Sequence, residues 1–93
     1  MTKADIINQI MDATGVGKRE VTAVVEGFMI AVKDSLIKKH ENVYLRGFGS
    51  FNVKHRKAKT ARNIKANTTI QIEAHEIPSF KPSKSFLQEM KEN

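Results

Sequence analysis

Residues 42–53 read Asn42-Val43-Tyr44-Leu45-Arg46-Gly47-Phe48-Gly49-Ser50-Phe51-Asn52-Val53. β-branched and aromatic side chains suit a pleated, half-buried surface, so residues 42–46 read as a strand. Gly47-Phe48-Gly49 reads as a turn, with permissive backbone at both glycines. Ser50-Phe51-Asn52-Val53 resumes the alternation and sets Phe51 and Val53 on one face. A strand, a glycine-containing turn and a second strand therefore stand at the middle of the chain.

The chain that follows is unusual in its charge. No acid occurs between Asn42 and Ile72, while Arg46, Lys54, Arg56, Lys57, Lys59, Arg62 and Lys65 all fall there, with His55 among them. Read as extended chain, Lys54, Arg56 and Arg62 share one parity and Lys57, Lys59 and Lys65 the other. Both faces are then basic. Burying unpaired charge is too costly, so such a ribbon is expected to project into solvent as an arm over residues 54–69. Ile64 is the sole large apolar residue between Val53 and Ile70. The tip is expected at residues 63–67, where Asn67 tolerates a turn conformation. Residues 69–74 read as a third strand. Pro78 and Pro82 punctuate the route to a C-terminal helix over residues 83–92, with Phe86, Leu87 and Met90 as its apolar side.

Upstream the period is helical. Thr2 with Asp5 three residues on resembles a capped helix start, followed by Ile6, Ile7, Ile10 and Met11. Gly15 ends that helix. Gly17 can cap the next one, with Glu20 in its first turn. Val21, Val24, Val25, Phe28, Val32 and Leu36 mark one face of a long second helix, and Lys38, Lys39 and His40 suit its C-terminal end. The fold class is α+β: a helical hairpin base (1–40), a three-stranded antiparallel sheet with a long β-ribbon arm (41–77, arm 54–69), and a C-terminal segment with a short helix (78–93). All of it fits a single domain.

Composition narrows the function. The 93 residues hold 16 Lys+Arg and 10 Asp+Glu, a formal charge of +6, and 40% are hydrophobic, so the chain can fold. Residues 1–40 carry six cations and five acids; residues 41–93 carry ten and five. There is no cysteine, which removes a disulfide framework, a thiol nucleophile and a Cys-based zinc site. No apolar run approaches the roughly 20 residues that span a bilayer, and the N-terminus lacks signal-peptide character, so a cytoplasmic location is expected. A small basic domain of this kind points to a polyanion, with nucleic acid first. Without the arm, the body has a size that usually needs stapling or oligomerisation. Phe48, Phe51 and Phe80 add more aromatic surface than a small open sheet covers alone. A homodimer is expected.

Catalytic chemistry finds little support. His40, His55, His75, Asp5, Asp12, Asp34 and the glutamates are the available groups. His75 sits between Glu73 and Glu76, but one His/Glu pair without a third ligand is a weak metal signal, and a solvent-facing strand end is the plainer reading. Ser50 has no His/Asp arrangement near it, and no Gly-rich phosphate loop occurs. No carboxylate cluster accompanies the basic stretch, as a metal-dependent nuclease would need. No enzyme activity, catalytic residue, metal or cofactor is expected.

At Gly47-Phe48-Gly49-Ser50-Phe51, Arg62-Asn63 and Pro78-Ser79-Phe80-Lys81-Pro82-Ser83-Lys84, the chain resembles the HU / integration host factor family of bacterial nucleoid-associated DNA-bending proteins. The resemblance covers nearly the whole sequence. It implies an intertwined dimer in which a helical base carries a sheet saddle, and two β-ribbon arms embrace the DNA minor groove. It implies that Phe48, Phe51 and Phe80 lie in the shared dimer core. In the family an Arg-Asn-Pro motif sits at each arm tip, its proline wedged between base steps and its arginine in the groove. Here Arg62 and Asn63 match, and Ile64 replaces the proline. Isoleucine is apolar enough to unstack a base step, though it lacks the fixed φ of proline. A glycine common near the family's tip is absent, with Ala66-Asn67 in that region. Lys3, Lys18 and Lys84 match body positions that hold flanking phosphates.

The implied DNA-binding set is Lys3, Lys18, Arg46, Lys54, Arg56, Lys57, Lys59, Arg62, Asn63, Ile64, Lys65, Lys81 and Lys84, with Ile64 the candidate intercalating wedge. The implied function is non-sequence-specific architectural DNA binding in the nucleoid, favouring bent, nicked or gapped duplexes, because minor-groove base edges are degenerate and deformability sets preference. A sequence-preferring subunit of the integration-host-factor type, or a protein that coats DNA or RNA without kinking it, are the alternatives. No ribonucleoprotein-type aromatic sheet motif is present.

Overall fold

The computed structural model describes residues 1–63 and 68–93; Ile64 and Lys65, and with them the wedge, lie outside the described residues. The elements run α1 (Lys3–Thr14), α2 (Lys18–Ile37), β1 (Val43–Leu45), β2 (Gly49–Arg56), β3 (Lys59–Asn63), β4 (Thr68–Ile72), β5 (His75–Pro82) and α3 (Lys84–Glu92). The chain divides into two compact units, Met1–Asp34 and Ser35–Asn93.

In the first unit, local chemistry sets the helix ends as the sequence indicates. Asp5 N–H donates to Thr2 Oγ1 at 3.2 Å, and Thr2 N–H donates to Asp5 Oδ2 at 2.9 Å. Two otherwise unpaired helix-start donors are thus satisfied reciprocally. Gly15 closes α1 in the left-handed region (φ 73°), its N–H donating to Met11 O at 2.8 Å. Gly17 O accepts from Val21 N–H at 3.0 Å, the first bond of α2. Ile7, Val21 and Val32 are buried. Val24 and Phe28, expected on the core stripe, are 71% and 45% exposed in the single chain.

In the second unit, Ser35 holds the exit from α2. Its carbonyl accepts from Glu41 N–H and its hydroxyl donates to Glu41 O, both at 3.0 Å. β1, β2 and β5 form an antiparallel sheet in the order β1-β2-β5, and β3 pairs with β4. The third strand of the sheet is therefore His75–Pro82, not residues 69–74, which the sequence favours; Thr68–Ile72 belongs to the arm.

The two prolines explain both why the sequence hides this strand and how the strand forms. Val53 lies opposite Pro78, and Val53 N–H donates to Asn42 Oδ1 at 2.9 Å, on the β1 side. In an antiparallel ladder, opposed residues turn their N–H groups both toward or both away from one another. The nitrogen of Pro78 therefore faces the open edge, where no ladder donor is needed. Pro82, four residues on and opposite Gly49, has the same phase. Prolines placed this way cost the sheet nothing on an edge strand.

The turn between β1 and β2 closes through Phe48 N–H to Leu45 O at 2.9 Å, with Gly47 at φ 80°. Gly49 has no positive φ. Its requirement is steric, since a β-carbon there would stand 2.5 Å from Lys81 O and 2.6 Å from Phe80 Cζ. Ser83 caps α3 by accepting from Phe86 N–H at 3.1 Å, and its own N–H donates to Phe48 O at 2.9 Å. Phe80 stands 5.2 Å from Phe48 and 5.0 Å from Phe51 between ring centroids, and Phe86 joins at 5.5 Å from Phe48.

Candidate nucleic-acid interface

One register governs the whole ribbon. Gly49 pairs with Pro82 and Arg56 with His75; beyond a two-residue gap on each strand, Lys59 pairs with Ile72 and Asn63 with Thr68. The spacing across the gap is equal on both sides, so Lys57 falls against Ala74 and Ala58 against Glu73. β2, β3, β4 and β5 are one long hairpin interrupted in its ladder, without a register shift. The expected arm is present up to Asn63 and from Thr68.

Opposed residues on paired strands share a face. In the three-stranded sheet this sorts the side chains cleanly. Val43, Leu45, Phe51, Val53, Phe80, Pro78 and Pro82 occupy one face, with the polar pair His55 and Glu76 at its arm end. Tyr44, Ser50, Asn52, Lys54, Arg56, Lys81, Ser79 and His75 occupy the other, with Ile77 its apolar exception. Asn52 Nδ2 donates to Ser50 Oγ at 3.0 Å, and Asn42 Nδ2 to Tyr44 Oη at 3.3 Å. The second face can offer a polyanion charge and hydrogen bonds together.

The arm is less uniformly basic than a reading of its first strand suggests. Ala61 pairs with Ile70 and Lys59 with Ile72, so β4 lends one face an apolar stripe, and Ile70 is 47% exposed. Parity counted along one strand misses what its partner contributes.

Two groups of predicted residues come together. Arg46, Lys81 and Lys84 line a groove with Tyr44 and Ser50. The Ser83–Phe48 bond explains this, because it ties the start of α3 to the turn that carries Arg46. Arg56, Lys57 and Lys59 line a second groove at the ladder gap, with His75. Lys54 continues the first of these faces along β2. Lys3 and Lys18 belong to the helical unit, where Lys3 Nζ meets Glu26 Oε1 at 3.1 Å. Arg62 is paired in register with Thr69. His75, Tyr44 and Asn52 escape sequence reasoning. The signal that would find them is the alternation of β1 and β5 against β2, legible only once residues 75–82 are taken as a strand. Among the described residues, no group of three His, Asp or Glu side chains is placed to hold a metal ion, and no helix is long and apolar enough to cross a membrane.

Residues 1–91 match the sequence pattern of a family described as bacterial DNA-binding protein. The chain belongs to this family. It is 37% identical over 91 residues to the DNA-binding protein HU of Thermus thermophilus, covering 98% of this chain and 93% of that protein. It is also 37% identical over 82 residues to the integration host factor subunit alpha of a Marinomonas species, covering 88% and 83%. Among solved structures, the HU chain of an Anabaena HU–DNA cocrystal superposes with a TM-score of 0.89 at 29% identity, covering 97% of each chain. The HU / integration host factor resemblance carried by the Gly-Phe-Gly-x-Phe turn and the Pro78–Lys84 segment thus extends to the fold.

Proposed function

We propose that this protein is an architectural DNA-binding protein of the HU type, acting as one domain over residues 1–93 in the cytoplasm, on the nucleoid. The observation that carries the reading is the single-register ribbon: one polar sheet face running into a projecting arm whose outgoing chain holds no acid from Asn42 to Asn63. The names of the relatives and the Anabaena cocrystal support DNA as the polyanion.

In this reading Lys3, Lys18, Arg46, Lys54, Arg56, Lys57, Lys59, Lys65, Lys81 and Lys84 hold backbone phosphates. Arg62, Asn63 and Ile64 enter the minor groove at the arm tip, and Ile64 is the wedge. Phosphate contacts release condensed counterions and make affinity fall with salt, by roughly 0.9 in log–log slope per phosphate. Smooth bending of a 20–30 base-pair site costs on the order of 1–6 kcal/mol. Contacts that only bent DNA can make offset that cost, so duplexes already bent, nicked or gapped bind more tightly.

The working unit is a homodimer. Four hydrophobic side chains are buried among the described residues, while Phe28, Ile30, Phe48, Phe80, Leu87 and Met90 stand exposed in the single chain. That is an incomplete core, and a second copy of the same chain completes it.

End-to-end fluorescence energy transfer on a duplex of about 30 base pairs, intact and centrally nicked, tests the function. Transfer is expected to rise on binding, more on nicked DNA and less at high salt. Tight binding with no rise would overturn bending and leave a coating protein. A matched RNA duplex as competitor is expected to displace the DNA poorly.

A further inference from the structure

The ladder gap in the ribbon creates a groove lined by Arg56, Lys57, Ala58, Lys59 and His75, with no acid in its lining. Arg56 and His75 are register partners and so share a face. The interruption releases the backbone of residues 57–58 from the ladder and lets Lys57 and Lys59 flank the same opening.

The hydrogen bonds of His75 fix its chemistry. Nδ1 lies 2.9 Å from Glu73 O. A carbonyl oxygen only accepts, so Nδ1 carries the proton, and the neutral ring presents Nε2 as a bare acceptor. A phosphate oxygen approaching that nitrogen meets lone pair against lone pair. Once Nε2 takes a proton from solvent, it becomes a charged donor and the approach is favourable.

Charged groups from several elements lie around the ring. Arg56 from β2, Lys57 from the gap and Lys59 from β3 are all cationic, and Lys54 lies one step back on the Arg56 face. Of the nearby acids, Glu76 Oε2 is engaged 3.1 Å from His40 Nδ1, while Glu73 accepts from the ring through its backbone carbonyl and, opposite Ala58 in the register, carries its carboxylate on the face of Arg56 and His75. His55, paired in register with Glu76, lies on the opposite face. A bound phosphodiester sets an anion beside the ring, and that anion favours the protonated form of His75 in the complex.

The geometry points to a proton-linked phosphodiester site at the root of the arm, where Arg56, Lys57 and Lys59 hold one DNA backbone phosphate and His75 Nε2 gains a proton as it binds. This rests on the DNA-binding reading above and adds that His75 makes affinity depend on pH. Thermodynamic linkage limits the effect to about tenfold in affinity per pH unit for each proton taken up.

The test is fluorescence anisotropy of a labelled duplex at constant ionic strength, from about pH 8 to about pH 6, where imidazoles titrate. Wild-type affinity is expected to rise severalfold as pH falls. His75→Gln, which cannot take up a proton in this range, is expected to flatten that rise. His75→Lys, permanently charged, is expected to bind at alkaline pH as wild type binds at acid pH. His40→Gln and His55→Gln are expected to keep the wild-type profile. A His75→Gln profile as steep as wild type overturns the site while DNA binding stands. Failure of wild type to bind the duplex at any pH overturns the DNA reading, and the site with it.

Discussion

Gly49 and Phe80 approach so closely that a β-carbon on Gly49 would stand 2.6 Å from Phe80 Cζ. The ring could rotate away, but Lys81 O, 2.5 Å from the same position, is backbone of the adjacent strand and cannot yield without disturbing the pairing. Gly49→Ala is expected to destabilise the fold by about 1–3 kcal/mol through overpacking. Gly47 differs. It has open space around its α-carbon and a φ of 80°, so Gly47→Ala is strained by backbone alone. Its cost is about 1–2 kcal/mol, and Gly47→Asn should recover part of it, since asparagine tolerates this region. Urea denaturation of the three variants checks the distinction; equal losses for Gly47→Ala and Gly47→Asn would contradict it.

If the core is completed by a second copy, folding and assembly are one equilibrium. The melting temperature of the wild type is then expected to rise with protein concentration. Phe28→Lys places a charge on an apolar side chain that is 45% exposed in the single chain. It is expected to leave unfolded chain at micromolar concentration, with no folded monomer. Sedimentation with circular dichroism reads both properties. A folded wild-type monomer whose melting temperature is independent of concentration would refute the dimer.

The features legible in the sequence are those set by neighbours along the chain. The Thr2–Asp5 capping box, Gly15 and the Gly47 turn each depend on groups within a few residues. β5 is hidden because Pro78 and Pro82 read as strand breakers, and their harmlessness depends on the phase of Val53, twenty-five and twenty-nine residues away in sequence. The apolar stripe of the arm is hidden for the same reason, because Ile70 and Ile72 reach the face of Lys59 only through pairing. Within the interface, the cations announce themselves by the absence of acids. His75 does not, because its role comes from Arg56 across the ladder and from two lysines around a gap that no local pattern marks.

Lys3 offers a check on the helical unit. Its ammonium is paired with Glu26 at 3.1 Å, with both side chains about half exposed. Such surface pairs contribute about 0–1 kcal/mol to stability. Glu26→Gln is expected to change the melting temperature little while tightening DNA binding at low salt, because Lys3 no longer divides its charge between carboxylate and phosphate. Unchanged affinity at low salt would remove Lys3 from the phosphate-binding set.

Lys59 and Arg56 should act through charge alone at pH 8. Alanine at either position is expected to weaken binding to all duplex sequences alike. Each is expected to reduce the salt slope by roughly 0.9 for every phosphate that is no longer neutralised. Titrations at several salt concentrations measure the slope. A weakening confined to particular sequences would indicate base reading, for which the phosphate assignment makes no provision.

Ile64 separates binding from bending. An apolar wedge between base steps unstacks them, at a cost of a few kcal/mol, and the resulting kink lets DNA reach more protein surface. Isoleucine is branched at Cβ and stiff at χ1, so it enters with little loss of rotamer freedom. Ile64→Ala keeps the backbone and the neighbouring Arg62 but removes the wedge. It is expected to reduce energy transfer across a bound intact duplex more than it reduces affinity. On a nicked duplex, where a break has already relieved the stacking, the variant should approach wild-type bending. Ile64→Pro supplies the fixed φ of the family motif at that position and is expected to bend intact DNA at least as strongly as the wild type. If Ile64→Ala bends intact and nicked DNA as wild type does, the kink does not come from this side chain, and bending must arise from the phosphate contacts of the sheet and arm.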